Sequence, residues 1–163
     1  MDNKDDALRF AMKLIGLRRR SEAEIRSRLR KKGCGEDLAG ETVSELYKFG
    51  YLDDAAFAGS YINDRMRFRP AGRFLIKLEL REKGIADGII EDKLSELLGE
   101  EEELSLAKKL LEKKMRASPP KDGGKARARL AFYLKSRGFS PGTIDEAIRD
   151  ILRTNKTTIH EDD

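Results

Sequence analysis

Apolar residues along this chain recur at helical spacing and never alternate as a strand requires. Ile25 and Leu29 stand four residues apart, as do Ile76 and Leu80, and Leu130 and Leu134. An i, i+4 pair lays one stripe along one face of a helix. No alternating Val/Ile/Thr run occurs anywhere, so the predicted fold is all-α. Each pair belongs to a longer correspondence. Leu29-Arg-Lys-Lys-Gly33, Leu80-Arg-Glu-Lys-Gly84 and Leu134-Lys-Ser-Arg-Gly138 share the pattern Leu-[Lys/Arg]-x-[Lys/Arg]-Gly, with glycines 51 and 54 residues apart. Ten residues beyond each glycine comes Val43, Leu94 or Ile148. Agreement at fixed offsets over so long a period marks tandem modules.

Each module reads as three helices. The middle one is basic, its cations crowding the last turn where they complement the negative end of the helix dipole. A glycine (Gly33, Gly84 or Gly138) then supplies the left-handed residue that ends it. Ser21-Glu-Ala-Glu24 is a capping-box start, and Ser140-Pro141 an N-cap followed by proline at the first helical position. The opening helices are expected at Ala7–Gly16, Ala55–Met66 and Leu104–Met115. The closing helices are expected at Glu36–Phe49, Asp87–Leu98 and Pro141–Leu152. This gives three tandem three-helix repeat modules, elongated and curved if they stack, over residues 1–53, 54–100 and 101–153, with a polar, frayed tail at 154–163.

Stability of such an array is a sum of module terms and neighbour interfaces. The middle module should be the best buried, since its basic helix carries Phe74, Leu75, Ile76, Leu78 and Leu80. Joints fall near Asp53-Asp54 and Gly99–Glu103. At the first, Gly50 ends a helix, Asp53 and Asp54 can cap the next, and Tyr51 and Leu52 should be buried between modules. The run Ala117–Gly124, with two prolines and two glycines, reads as a loop. Tyr47, Phe49, Phe57, Tyr61, Phe132 and Tyr133 fall near apolar positions and read as core; Phe68, in a basic stretch, is the one candidate for base stacking.

Composition sharpens this picture. Of the 163 residues 39% are hydrophobic and another 39% charged, against roughly 25% charged in an average globular chain. That balance, with a mean hydropathy of −0.64, suits amphipathic helices with thin apolar stripes. No apolar run approaches the length of a membrane span. The charged start Met1–Asp6 is not a secretory signal, so a cytoplasmic protein is expected. A single cysteine, Cys34, and a single histidine, His160, exclude a disulfide framework and a Cys/His zinc site within the chain. Cys34 reads as a small loop residue. Net charge is only +4, but its distribution is uneven. Windows 9–32, 65–83 and 108–137 hold 28 of the 34 basic residues and 6 of the 30 acids.

Catalysis has little to work with. There is no Ser/His/Asp set, no P-loop and no dinucleotide-binding glycine fingerprint. The carboxylate run Glu100–Glu103 reads as a solvated helix start favoured by the dipole rather than a metal site. The expectation is a non-enzyme without cofactor or metal. The basic helices are the informative feature, because neutralising phosphates needs clustered cations and little else. Candidate contacts are Arg18, Arg19, Arg20 and Arg26, with Arg28, Arg30, Lys31 and Lys32 spread over the same helix. The middle module adds Arg65, Arg73, Lys77, Arg81 and Lys83, and the third Arg127 and Lys135. Arg73, Lys77 and Arg81, four apart, should share one face. The plainer reading is a solubilising face balanced by acidic helices.

The stretch Gly50-Tyr51-Leu52-Asp53-Asp54, followed by Phe57-Ala58 and Tyr61, then Arg65, Gly72-Arg73 and Glu79-Leu80-x-x-Lys83-Gly84-Ile85, resembles the RecX family, bacterial regulators of the RecA recombinase. The first-module run from Ala11 through Arg18 and Ser21 to Leu29 and Lys32-Gly33 agrees, and the resemblance spans roughly residues 7–152. It implies a non-enzymatic regulator of tandem three-helix repeats that binds RecA and its nucleoprotein filament. Such a protein lies in the filament groove and restrains filament growth, ATP hydrolysis, strand exchange and SOS coprotease activity. DNA would be bound weakly and without sequence preference, and the protein would act as a monomer. Two other readings remain open on the residues alone. One is a helix-turn-helix repressor, which would need base-reading residues early in its recognition helix, whereas these helices concentrate charge late. The other is a charged protein-binding adaptor.

Overall fold

The computed structural model describes residues 3–119 and 123–158. The described residues form nine α-helices and no strand: α1 (Lys4–Leu17), α2 (Glu22–Lys31), α3 (Glu36–Lys48), α4 (Asp54–Phe68), α5 (Arg73–Glu82), α6 (Asp87–Leu97), α7 (Glu100–Ala117), α8 (Gly123–Ser136) and α9 (Pro141–Thr158). Sequence chemistry sets their ends. Asn3 caps α1 by accepting from the Asp6 N–H at 2.8 Å. Ser21 and Glu24 form the full capping box on α2, and Ser140 caps α9 through the Thr143 N–H.

Gly33, Gly84 and Gly138 end α2, α5 and α8 with φ of 79°, 76° and 77°. After each, the next N–H reaches back to the leucine five residues before it: Cys34 to the Leu29 carbonyl, Ile85 to Leu80, and Phe139 to Leu134. This is the Schellman closure. The residue after the glycine is buried each time, at Cys34, Ile85 and Phe139. Cys34 is thus the loop residue expected, but a buried one that joins the first unit's core. Gly50 repeats the motif at the end of α3, with the Tyr51 N–H on the Leu46 carbonyl at 2.8 Å. There the pattern changes. Tyr51 is 48% exposed, against expectation, and Leu52 alone turns inward at 3%.

The fold departs from the sequence reading at other points too. Phe74 and Leu78 of α5 are exposed, and the buried stripe of that helix is Ile76 and Leu80 alone among its fully covered side chains. Tyr47, Phe49 and Phe132 are exposed, Phe57 is buried, and Phe68 is exposed. Two of these exposed rings meet charged neighbours rather than the core, Lys48 at Phe49 and Arg67 at Phe68. Gly123 and Gly124 open α8 rather than extending a loop, and α9 runs past Leu152 to Thr158. Pro120–Asp122 and His160 lie outside the described residues.

Packing divides the chain into two compact units, Met1–Tyr61 with Glu79–Lys93, and Ile62–Leu78 with Leu94–Asp163. The division passes through α4, α5 and α6. The first unit's core joins Ala7 and Ala11 of α1 to Ile25 and Leu29 of α2 and to Ala39, Val43 and Leu46 of α3. The second unit's core joins Leu110 and Leu111 of α7 to Leu130 and Leu134 of α8 and to Ile144, Ile148 and Ile151 of α9. Each fully covered aliphatic side chain of this kind contributes about 1.5–3 kcal/mol.

Inside each unit a middle-helix start is closed by the following module, and the closure has one chemistry. In the first unit the Ser21 hydroxyl donates to the Lys83 carbonyl at 2.7 Å, and Asp54 accepts from the Glu22 N–H at 2.9 Å. In the second, the Gly72 N–H donates to the Arg137 carbonyl at 2.9 Å, and Glu103 accepts from the Arg73 N–H at 2.9 Å. Ser21 and Gly72 hold the same register in their modules, as do Glu22 and Arg73, and Lys83 and Arg137. Backbones meet closely at both joints. A Cβ on Gly84 would fall 2.3 Å from the Ala23 Cβ, and one on Gly138 would fall 2.4 Å from the Leu75 Cβ.

Candidate polyanion interface

The α2 region concentrates positive charge, and its own acids claim part of it. Arg18 donates to both Glu24 oxygens, at 2.7 and 3.1 Å, and to the Arg19 carbonyl. Burial disfavours the Glu24 carboxylate, yet the hydrogen bonds from Arg18 and the Ser21 N–H hold its pKa below the ordinary value. Arg26 is tied to Glu22 at 2.7 Å and Glu36 at 3.3 Å, and Arg30 approaches Glu36 at 4.0 Å. Lys32 rests over the Phe10 ring. Arg20 is half-buried, and its Nε is enclosed without a hydrogen-bond partner; burial and the neighbouring Arg18 and Arg28 charges lower its pKa. The side chains of Arg19, Arg28 and Lys31 are exposed and make no hydrogen bond or ion pair among the described residues. They form the open cationic surface of the first unit.

The middle module spends its cations differently. The Arg73 guanidinium donates to the Leu98 carbonyl at 2.7 Å and the Leu94 carbonyl at 3.4 Å. It thereby serves the Leu98 carbonyl just past the end of α6, while the Leu94 carbonyl also accepts the Leu98 N–H at 2.9 Å. Arg81 forms a fork on Asp87, at 2.7 and 2.9 Å, which raises its pKa. Lys77 is half-buried. Lys83 lies over the Tyr61 ring, and Arg67 over Phe68. Arg65 donates to the Arg69 carbonyl. The shared register of Arg73, Lys77 and Arg81 thus carries two arginines already committed within the chain.

In the third module Arg127 pairs with Asp145 at 3.2 Å, and Arg137 and Lys114 flank the Tyr133 ring at 4.7 and 5.2 Å. Lys135 is exposed. Glu103, expected on a solvated helix start, is 2% exposed. Besides the Arg73 N–H it accepts from the Thr143 hydroxyl at 2.8 Å and the Ser140 hydroxyl at 3.1 Å. A buried carboxylate is tolerable only when hydrogen-bonded in this way. Its structural role, like that of Asp54, carries no sequence signal beyond an acid in a helix's first turn. Among the described residues no group of three or more His, Cys, Asp or Glu side chains could hold a metal ion, and no helix is long and apolar enough to cross a membrane.

Three family models cover this helical order in sequence. They are the first three-helix domain of RecX at residues 7–46, the second at 53–94 and the third at 100–148. The chain belongs to the RecX family. Regulatory protein RecX of Pelodictyon phaeoclathratiforme is 36% identical over 148 residues, covering 91% of this chain and 90% of that protein. Regulatory protein RecX of Chlorobaculum tepidum is 32% identical over 149 residues, covering 91% and 90%. The crystal structure of RecX from Lactobacillus salivarius superposes with a TM-score of 0.77 at 27% identity, covering 90% of this chain and 95% of that one. Each RecX domain here takes in an opening, a basic and a closing helix. The relatives are named regulatory proteins.

Proposed function

We propose that this chain is a non-enzymatic regulator that binds RecA and the RecA–DNA filament and restrains filament growth, ATP hydrolysis, strand exchange and SOS coprotease activity. It acts in the cytoplasm as a monomer built of three modules over residues 1–53, 54–100 and 101–153. Membership in the RecX family along most of the chain supports the partner. The observation that carries the mechanism is the open set Arg19, Arg28 and Lys31, which has no intramolecular counter-charge to displace before it meets a polyanion. Clustered cations of that kind give sequence-independent affinity by releasing counterions from phosphates.

The test is binding of the protein to RecA filaments assembled on single-stranded DNA, followed over a range of salt. Each lost phosphate contact lowers the slope of log affinity against log salt by about 0.7–0.9. The variant Arg19→Ala/Arg28→Ala/Lys31→Ala is expected to keep its circular-dichroism signal and lower the slope by about 2. An unchanged slope removes this surface from the mechanism. Substituting Arg81, already forked onto Asp87, is expected to change the slope far less.

A further inference from the structure

We propose that the groove between the end of α7 and the outer face of α8 binds a free nucleoside triphosphate, its base on the Phe132 ring and its phosphates on Lys114, Lys125 and Arg129. The groove has a volume of about 690 Å³, within the range of roughly 300–1,000 Å³ that small-molecule sites occupy. Spacing along α8 builds one wall. Lys125, Arg129 and Phe132, four and then three residues apart, fall on one face of the helix. Lys114, in the last turn of α7, lines the other side. All four side chains are exposed, Phe132 at 74%. Those of Lys125 and Arg129 make no hydrogen bond or ion pair among the described residues. No carboxylate stands among the described residues that line the groove. Nor does the repeat dictate these side chains. Arg129 and Phe132 hold the register of Glu24 and Ser27 in the first module, and of Leu75 and Leu78 in the second.

The ratio of charge to open ring names the occupant. An aromatic face stacks any nucleobase, because every base has a π-face. Phe132 is the open ring among the groove's described residues, since Lys114 and Arg137 already engage Tyr133 at 5.2 and 4.7 Å. Three cations therefore serve one base position. A single strand brings one charge with each base and calls for rings in succession along a cationic track. A triphosphate instead concentrates several charges behind one base, and the groove offers that proportion. The Arg129 guanidinium can present its planar fork to one phosphate, with Lys114 and Lys125 as point charges on its neighbours. The groove shares no residue with Arg19, Arg28 and Lys31, so it stands or falls independently of the filament-binding proposal.

The test titrates ATP, inorganic triphosphate and adenosine separately into the full chain labelled with 15N, at fixed ionic strength. ATP is expected to give saturable amide shifts over residues 125–133 with a dissociation constant below about 1 mM. Triphosphate and adenosine should each bind about tenfold more weakly, or worse. Arg129→Ala should weaken ATP and triphosphate alike by about tenfold. Phe132→Ala should weaken ATP alone, down to the level of triphosphate. Both variants replace exposed side chains and should keep the native helical signal. Absence of saturable shifts with ATP overturns the proposal. Equal binding of ATP and triphosphate, or ATP binding that survives Phe132→Ala, also overturns it, because the groove would then be a bare anion patch. So does an oligothymidylate that displaces ATP and depends on Phe132 for tighter binding, which would make the groove a single-strand site.

Discussion

Leu52 is 3% exposed and belongs to the first unit's core, so Leu52→Ala should cost about 2–5 kcal/mol. Tyr51, half exposed beside it, should tolerate alanine with a far smaller loss; chemical denaturation of the two variants separates them. Two glycines make a sharper pair. Gly50 and Gly84 have nearly the same positive φ, but a Cβ on Gly50 meets open space and one on Gly84 meets Ala23. Gly50→Ala is expected to lose about 1–2 kcal/mol from the left-handed conformation alone. Gly84→Ala should lose a further 1–3 kcal/mol or so by overpacking the joint. Equal losses would mean that the joint yields freely. Gly84 was legible in the sequence because cations and a leucine at fixed offsets precede it, as they do Gly33 and Gly138. The side of the chain on which Tyr51 falls was not, since burial depends on what the following helix brings.

Among the elements, the acids that close the joints carry the testable chemistry. Burial pushes the Asp54 carboxyl above its ordinary pKa, against the hydrogen bond from the Glu22 N–H, and the Glu22 and Asp53 charges add to the rise. The folded protein therefore takes up this proton more readily than the unfolded chain. Stability from this site is fullest at low pH and falls as pH rises from the ordinary carboxyl value, about 3.9, through the raised folded one. Asp54→Asn keeps an acceptor for the N–H and removes the charge. It should be at least as stable as the native protein at pH 7, the difference vanishing once both carboxyl forms are protonated; a less stable variant at pH 7 would refute this. Glu103→Ala strands the Arg73 N–H and the Thr143 hydroxyl, whereas Ser140 keeps Thr143 as an acceptor, and should cost at least about 2 kcal/mol. The periodicity announced the helices themselves and the starts of the closing helices at Glu36, Asp87 and Pro141. It could not announce that Arg73 caps α6 or that Glu103 is buried, because both contacts are long-range and an exposed acid or arginine looks the same in sequence.

At the scale of the whole molecule, the family follows from the repeat as a unit. The three RecX domains fall on the three copies of one pattern, and a repeat whose middle helices are basic was visible in the sequence. The apportioning of cations was not: only the structure distinguishes Arg18 and Arg26, held by acids, from Arg19, Arg28 and Lys31, left open. The most direct measurement of the proposed regulation is the rate of single-stranded-DNA-dependent ATP hydrolysis by RecA as this protein is titrated in. The expected result is a fall in rate at protein levels well below that of RecA, with the Arg19→Ala/Arg28→Ala/Lys31→Ala variant needing much more protein for the same fall. An unaltered rate at equimolar protein, with both proteins folded and the filament formed, would contradict it.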